Sequence, residues 1–505
     1  MRRFLKVRFL AKPKRASSLW SYGLTKSLGL IVALLLAVTD VSAVRESGAD
    51  ALVVRRPLVG ERCFRSTAVD SVIAVMQDRL SEVNPKLWTM FCNCYPNTLD
   101  TAVKRFRACS DVTGRVEDFT FVITGDIDAM WLRDSAAQVW TYLSLLDVDE
   151  DLRLMVRGVI RMQLEFVCRD AYANAFLRSV SDSTQWRSDF TLMLPGVHER
   201  KYEIDSLCYP IRLAYAYWQI TGDDSIFDEL WVRAVGEILR VFSEQQRRDG
   251  VQRTSYRFGR TTHAQHDTTS NYGLGHPAKP CGLIASMFRP SDDSCVFPFN
   301  IPGNFFAVSA LRKAAEILTE VSHDEALAER CRGMADEVYE ALMRYAIVKS
   351  LEFGPVFAYE IDGFGSHLLM DDANVPSLLS LPYLCGEIVD ECDSVYRNTR
   401  RMVWSEYNPY FFGGGLQGLE SGVRGIGSQH TGLNMVWPMS IIMRGLTTKD
   451  VHEQRECISV LMQTDGGTGF VHESFLPSDP TRFTRSWFSW VNGLFGELVL
   501  MAYGD

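Results

Sequence analysis

The feature that most limits how this 505-residue chain can fold is a rhythm. Apolar residues at helical spacing recur about a dozen times, and the connectors lengthen after every second stretch. The spacing predicts helices over about 69–83, 98–108, 134–147, 151–168, 207–220, 225–246, 303–320, 323–346, 375–384, 390–402, 433–445, 449–463 and 484–502. Between them lie long segments at 109–133, 169–206, 247–302, 347–374, 403–432 and 464–483, rich in Gly, Pro and Asp. Long connectors inside a compact domain are usually functional. A solenoid would repeat its own sequence every ~30–45 residues, and no such self-similarity is present. The expectation is an all-α (α/α)6 barrel, with inner and outer rings of helices and the long loops gathered on one face. Nothing rich in Pro, Ser and Gly divides the body, so residues 50–505 are read as one catalytic domain.

With 47% hydrophobic residues the chain can bury a large core. Eight basic residues precede position 44, followed by an apolar run from Leu28 to Thr39 and then Val41-Ser42-Ala43. That order is the pattern of a secretory signal, and the run is shorter than the ~20 residues that span a bilayer comfortably. Residues 1–43 are therefore read as a signal peptide cleaved near Ala43 or as a signal anchor, with the body secreted or in the secretory lumen. The remainder holds 45 basic against 61 acidic residues, a net charge of −16. Like-charge repulsion argues against nucleic acid or an anionic membrane surface as a partner. Of the twelve cysteines, Cys63, Cys92, Cys94 and Cys109 are crowded enough for disulfides in a secreted chain. Cys168, Cys208, Cys331 and Cys457 sit in apolar helical patterns as expected free thiols. The absence of CxxC argues against structural zinc.

Shared on one face, the loops would converge Asp126, Asp128, Trp131, Arg133 and Asp134, then Glu199–Asp205, Arg289 with Asp292-Asp293, Tyr359–Asp362 with Asp371-Asp372, His430, and His472-Glu473. Acidic groups with an aromatic neighbour suit sugars, because carboxylates and Arg bond ring hydroxyls while aromatic faces cover C–H faces. Two carboxylates are also what glycosidic cleavage requires. Each position has a plainer explanation. Asp126, Asp128, Asp134, Asp205 and Asp371-Asp372 can also be read as helix caps, Asp292-Asp293 and Glu473 as turn residues, and His430 as a satisfied loop residue. Asp292-Asp293 stands apart, since adjacent like charges beside the apolar 295–299 run raise a pKa as a general acid needs. The Asp126/Asp128 spacing faintly suggests calcium, but no EF-hand continues from it. There is no GxSxG, GxxxxGK[ST] or HExxH.

Taken together, Thr124–Ser135 (TGDIDAMWLRDS), Glu199–Pro210 (ERKYEIDSLCYP), Phe288–Pro302 (FRPSDDSCVFPFNIP), Tyr359–Leu379 (YEIDGFGSHLLMDDANVPSLL), Gly425–Thr431 (GIGSQHT), Trp437–Gly445 (WPMSIIMRG) and His472–Phe475 resemble glycoside hydrolase family 125. The resemblance runs in order over nearly all of 60–503. It implies a metal-independent, cofactor-free, inverting exo-α-1,6-mannosidase acting on a mannose-containing oligosaccharide or glycan. By position it places the general acid in the Asp292-Asp293 pair, with Asp293 favoured, and the general base on Glu473. Trp131, Arg133, Asp134, Asp205, Arg289, Asp372 and His430 fall in motifs that line the family's sugar pocket. Gln429, Ile204 and Gly303 depart from the family's pattern, and the stretch Gly250–Ala278 with His263 and His266 is less family-like. Inversion needs room for a water, so the two catalytic carboxyl groups should stand roughly 6.5–9.5 Å apart. The competing readings are a calcium-dependent α-mannosidase of another (α/α) barrel family and a mannoside-binding protein without catalysis.

Overall fold

A computed structural model describes residues 53–250, 254–416 and 419–504, so the proposed signal segment lies outside the described residues. Its helices are α1 Thr67–Val83, α2 Pro85–Cys94, α3 Asn97–Thr101, α4 Leu132–Trp140, α5 Glu150–Arg169, α6 Ile204–Thr221, α7 Glu229–Gln245, α8 Ile301–Glu320, α9 Glu325–Tyr345, α10 Leu381–Cys385, α11 Ser394–Val403, α12 Pro438–Leu446, α13 Val451–Gln463 and α14 Ser489–Tyr503. Helices α12, α14, α4, α6, α8 and α10 touch in that order as an inner ring. Outside it α5 packs on α4 and α6, α7 on α5, α9 on α8, and α13 on α12 and α14, while α2 closes the seam between α13 and α14. The architecture is an (α/α)6 barrel.

Side-chain pattern explains the ring each helix joins. In α9 the buried residues are Leu327, Ala328, Cys331, Ala335, Val338, Ala341 and Leu342, one stripe at spacings of three and four. In α6 all of Ile204–Ala214 is buried, and α8 is buried continuously from Ile301 to Leu311. A helix apolar all round belongs in an interior. Most buried apolar residues form one continuous cluster from Phe64 to Ala502, and Ala129, Trp131 and Ala175 form a small separate one.

Two local expectations need correction. The helix expected over 98–108 ends at Thr101, and Val103–Cys109 pairs antiparallel with Val116–Val122. The strand's burial alternates residue by residue, so the apolar period there is two rather than 3.6. Helix α2 was not expected; Asn84 caps it through the Lys86 amide and Pro85 occupies its first position. All twelve cysteines are free thiols, which leaves the anticipated disulfides among Cys63, Cys92, Cys94 and Cys109 unformed. No described helix is long and apolar enough to cross a membrane.

Candidate active site

The candidate residues gather where inner helices begin. Trp131, Arg133 and Asp134 open α4, Asp205 opens α6, Asp372 precedes α10, His430 precedes α12, and Glu473 lies on the segment leading to α14. Helix N-termini carry partial positive charge, which favours acidic groups there. Capping does not explain Asp134 or Asp205. Trp131 and Glu203 are the N-cap residues of α4 and α6, and neither helix start has a side-chain cap.

The Arg133 guanidinium is the hub. Its Nη1 donates to Glu203 Oε2 at 2.6 Å and to Asp205 Oδ2 at 3.1 Å, its Nε lies 3.4 Å from Asp134 Oδ2, and its Nη2 lies 3.9 Å from Asp292 Oδ1. One cation facing four carboxylates, three of them buried, cannot keep them all ionised. Burial raises Glu203 well above its ordinary range against the pull of Arg133, and raises Asp134 to about 6. Protons are therefore retained in this set.

Asp292 and Asp293 are adjacent but differ sharply. They belong to a tight turn in which Arg289 N–H donates to Asp293 O and Asp292 N–H to Arg289 O, at 2.7 and 3.0 Å. Asp292 has a φ of 68°, an uncommon left-handed conformation for a residue with a Cβ. Lys201 holds that turn by donating from Nζ to Asp292 O at 2.9 Å while pairing with Asp267 at 2.7 Å. The Asp292 side chain is 25% exposed, and its Oδ1 has no hydrogen-bond partner. Asp293 is fully buried: Oδ1 meets His266 Nδ1 at 2.7 Å and His430 Nδ1 at 3.7 Å, and Oδ2 accepts from Ser428 at 3.2 Å. Burial opposes ionisation of both. For Asp292, Lys201, Arg133 and His430 outweigh it and hold the carboxyl below its ordinary range. For Asp293, the bonds with His266 and His430 do so more strongly.

Glu473 reaches the same place from the other side of the ring. Its Oε1 accepts from Arg485 Nε at 3.0 Å, and Arg485 also binds Asp126. Burial lowers the His430 pKa, but the Asp293 bond and the charges of Asp292, Asp293 and Glu473 raise it to about 9. His430 thus sits among all three proposed catalytic carboxylates. Asp372 accepts from Ser291 and Ser428 at 2.8 and 3.2 Å, and burial together with the Asp293 charge raises it to about 6. Trp131 is nearly buried, with its ring edge-on to His198 at 5.3 Å.

Arg289 sits behind this group, where its charge acts on Asp372. It is 1% exposed and committed through Nε to Glu360 Oε1 at 2.6 Å, where it supports the turn. Asp371 accepts the Leu378 and Leu379 amides and serves the backbone. His472 stacks on Phe483 at 3.7 Å instead of entering the site. Sequence reasoning did not single out Glu203, Lys201, Ser428 or Arg485, and placed His266 only in a variable stretch. The first two lie inside the ERKYEID motif already in view. Arg485 follows a hairpin, has positive φ and carries no local signal.

A barrel of helix pairs whose inner N-termini hold paired carboxylates defines a glycoside hydrolase of the (α/α)6 type. At the level of fold, a bacterial glucoamylase crystallised with acarbose matches with a TM-score of 0.51 at 12% identity, over 85% of this chain and 57% of that one. A structure from Streptococcus pneumoniae, described as a metal-independent α mannosidase in a non-productive complex with α-1,6-mannobiose, matches with a TM-score of 0.80 at 38% identity, over 88% of this chain and 99% of that one. The Schizosaccharomyces pombe meiotically up-regulated gene 157 protein is 40% identical over 461 residues, 88% of this chain and 87% of its own. Residues 84–500 match the family model for metal-independent alpha-mannosidases, GH125, and the chain belongs to that family.

Proposed function

We propose that this glycosidase removes terminal α-1,6-linked mannose from an oligosaccharide or glycan by single displacement with inversion. The observation that carries the reading is the placement of the Asp292-Asp293 turn before α8 and of Glu473 before α14, starts on opposite sides of the inner ring, with His430 Nδ1 3.7 Å from Asp293. The α-1,6 linkage rests on the family motifs and on the mannobiose bound by the pneumococcal relative.

Within the pair, the geometry favours Asp292 over the Asp293 suggested by position alone. A general acid must reach the glycosidic oxygen. Asp292 presents a side chain that is 25% exposed, whereas Asp293 is enclosed and triply engaged. In this reading Asp292 takes its proton from the acidic set around Arg133 as the sugar enters, and passes it to the leaving O6 oxygen. Glu473, oriented through one oxygen by Arg485, uses the other to deprotonate the attacking water on the opposite ring face. Asp293 is a positioning residue that holds His430 as a cation beneath the sugar.

The basic, apolar, small-residue order of 1–43 fits delivery to the secretory pathway; N-terminal sequencing of the mature protein separates cleavage near Ala43 from retention as an anchor. For the reaction, purified protein is incubated with α-1,6- and α-1,2-mannobiose and the first released anomer followed by NMR. Release of β-mannose from the 1,6-linked substrate alone, unaffected by a strong chelator, is the expected result. α-Mannose appearing first excludes inversion, and loss of activity on chelation overturns metal independence.

A further inference from the structure

A second cleft, on the outer shell, has the opposite electrostatic character to the sugar site. It is lined by Leu379, Arg397, Arg400, Arg401, Trp404 and Arg444, with a volume of ≈ 420 Å³. That lies within the size range of small-molecule sites. Four arginines line it, two of them joined through Glu453, in a body whose net charge after residue 43 is −16.

Structural duty accounts for only part of this cluster. Arg400 and Arg444 both bond Glu453 Oε1, at 3.0 and 2.7 Å, and Arg400 also donates to the Arg444 carbonyl, tying α11 to α12. Arg444 further lies 4.9 Å over the Trp404 ring. Arg397 and Arg401 are exposed and make no ion pair among the described residues; Arg401 only overlies Phe353 at 5.7 Å. The Arg400 Nε is buried without a hydrogen-bond partner. Helix C-termini favour single cations, and the two engaged arginines already answer that preference. The other two add like-charge repulsion that an anion would relieve.

We propose that this cleft binds a small molecule carrying phosphate groups. Guanidiniums offer paired N–H donors that match phosphate oxygens, and Leu379 and Trp404 give an apolar wall for the remainder of the ligand. The proposal is independent of the sugar site, whose residues lie on other segments.

Isothermal titration of the full chain with inorganic pyrophosphate, and separately with mannose 6-phosphate and mannose, tests it. Pyrophosphate is expected to bind, more weakly at high salt, and Arg397→Ala/Arg401→Ala to raise its Kd about tenfold or more. The double variant should keep full activity on α-1,6-mannobiose. Binding of mannose 6-phosphate at this cleft as well assigns the anion to a sugar; pyrophosphate alone assigns it to a free diphosphate. No binding by either phosphate, or binding that the double variant leaves unchanged, overturns the proposal.

Discussion

The two rings of helices begin in different ways. Outer helices α5, α7, α9, α11 and α13 each start at an aspartate, Asp149, Asp228, Asp324, Asp393 and Asp450, whose carboxylate accepts a first-turn amide. Inner helices α4, α6, α10, α12 and α14 start at Trp131, Glu203, Ser380, Trp437 and Phe488 with no side-chain cap, and inner α8 alone is capped, by Asn300 through the Gly303 amide. Capping satisfies orphan amides locally and makes a helix start self-sufficient. At five of the six inner starts that local solution is absent, and acidic groups from several loops gather instead around Arg133, Lys201 and His430. The outer ring is built for stability by short-range bonds; the inner pole is built from long-range charge pairs that a ligand can share.

Substitutions sharpen that contrast. Glu473→Gln should lower turnover on mannobiose by on the order of 10²–10⁴-fold while sugar affinity stays near wild type, since only the base is lost. Asp292→Asn should show a similar loss that is largely recovered with an activated aryl mannoside, whose leaving group needs no proton. If Asp293→Asn gives that recovery instead, the acid has been assigned to the wrong carboxylate. Arg133→Met strips the cation from Glu203 and Asp205 and should destabilise the fold by about 3–5 kcal/mol in urea titration.

His430 gives a pH test. Its folded pKa of about 9 lies above the ordinary histidine value, so its contribution to stability is fully present below about 6.5 and is lost as pH rises through 9. His430→Gln should flatten the decline of thermal stability over that window, and an unchanged slope would remove His430 from the charge network. The smallest effect belongs to the outer ring: Asp324→Ala, which deletes one cap, should cost about 1 kcal/mol and leave turnover untouched. A large loss of activity there would erase the distinction between the rings.

Much of the barrel was readable in advance because its helices have strong 3.6-residue periodicity and their connectors are long. The Val103–Cys109 strand was misread because Val103 and Phe106 stand three apart, a spacing that a short window does not separate from a helix. The acidic loops were readable as a set, because carboxylates beside aromatics stand out from ordinary turns. Their partners were not. Arg485 is 12 residues from Glu473 and His266 is 27 from Asp293, and no local rule links either pair.

The linear order of residues by itself determined the ring of helices, the sugar-directed chemistry of the loops and the carboxylates at their centre, because periodicity and composition are local properties. Folding in three dimensions decided that Asp293 is enclosed while Asp292 stays partly exposed, and that Arg133 gathers four carboxylates around one guanidinium. Those outcomes depend on burial and on the distances between side chains, which only the closed barrel defines.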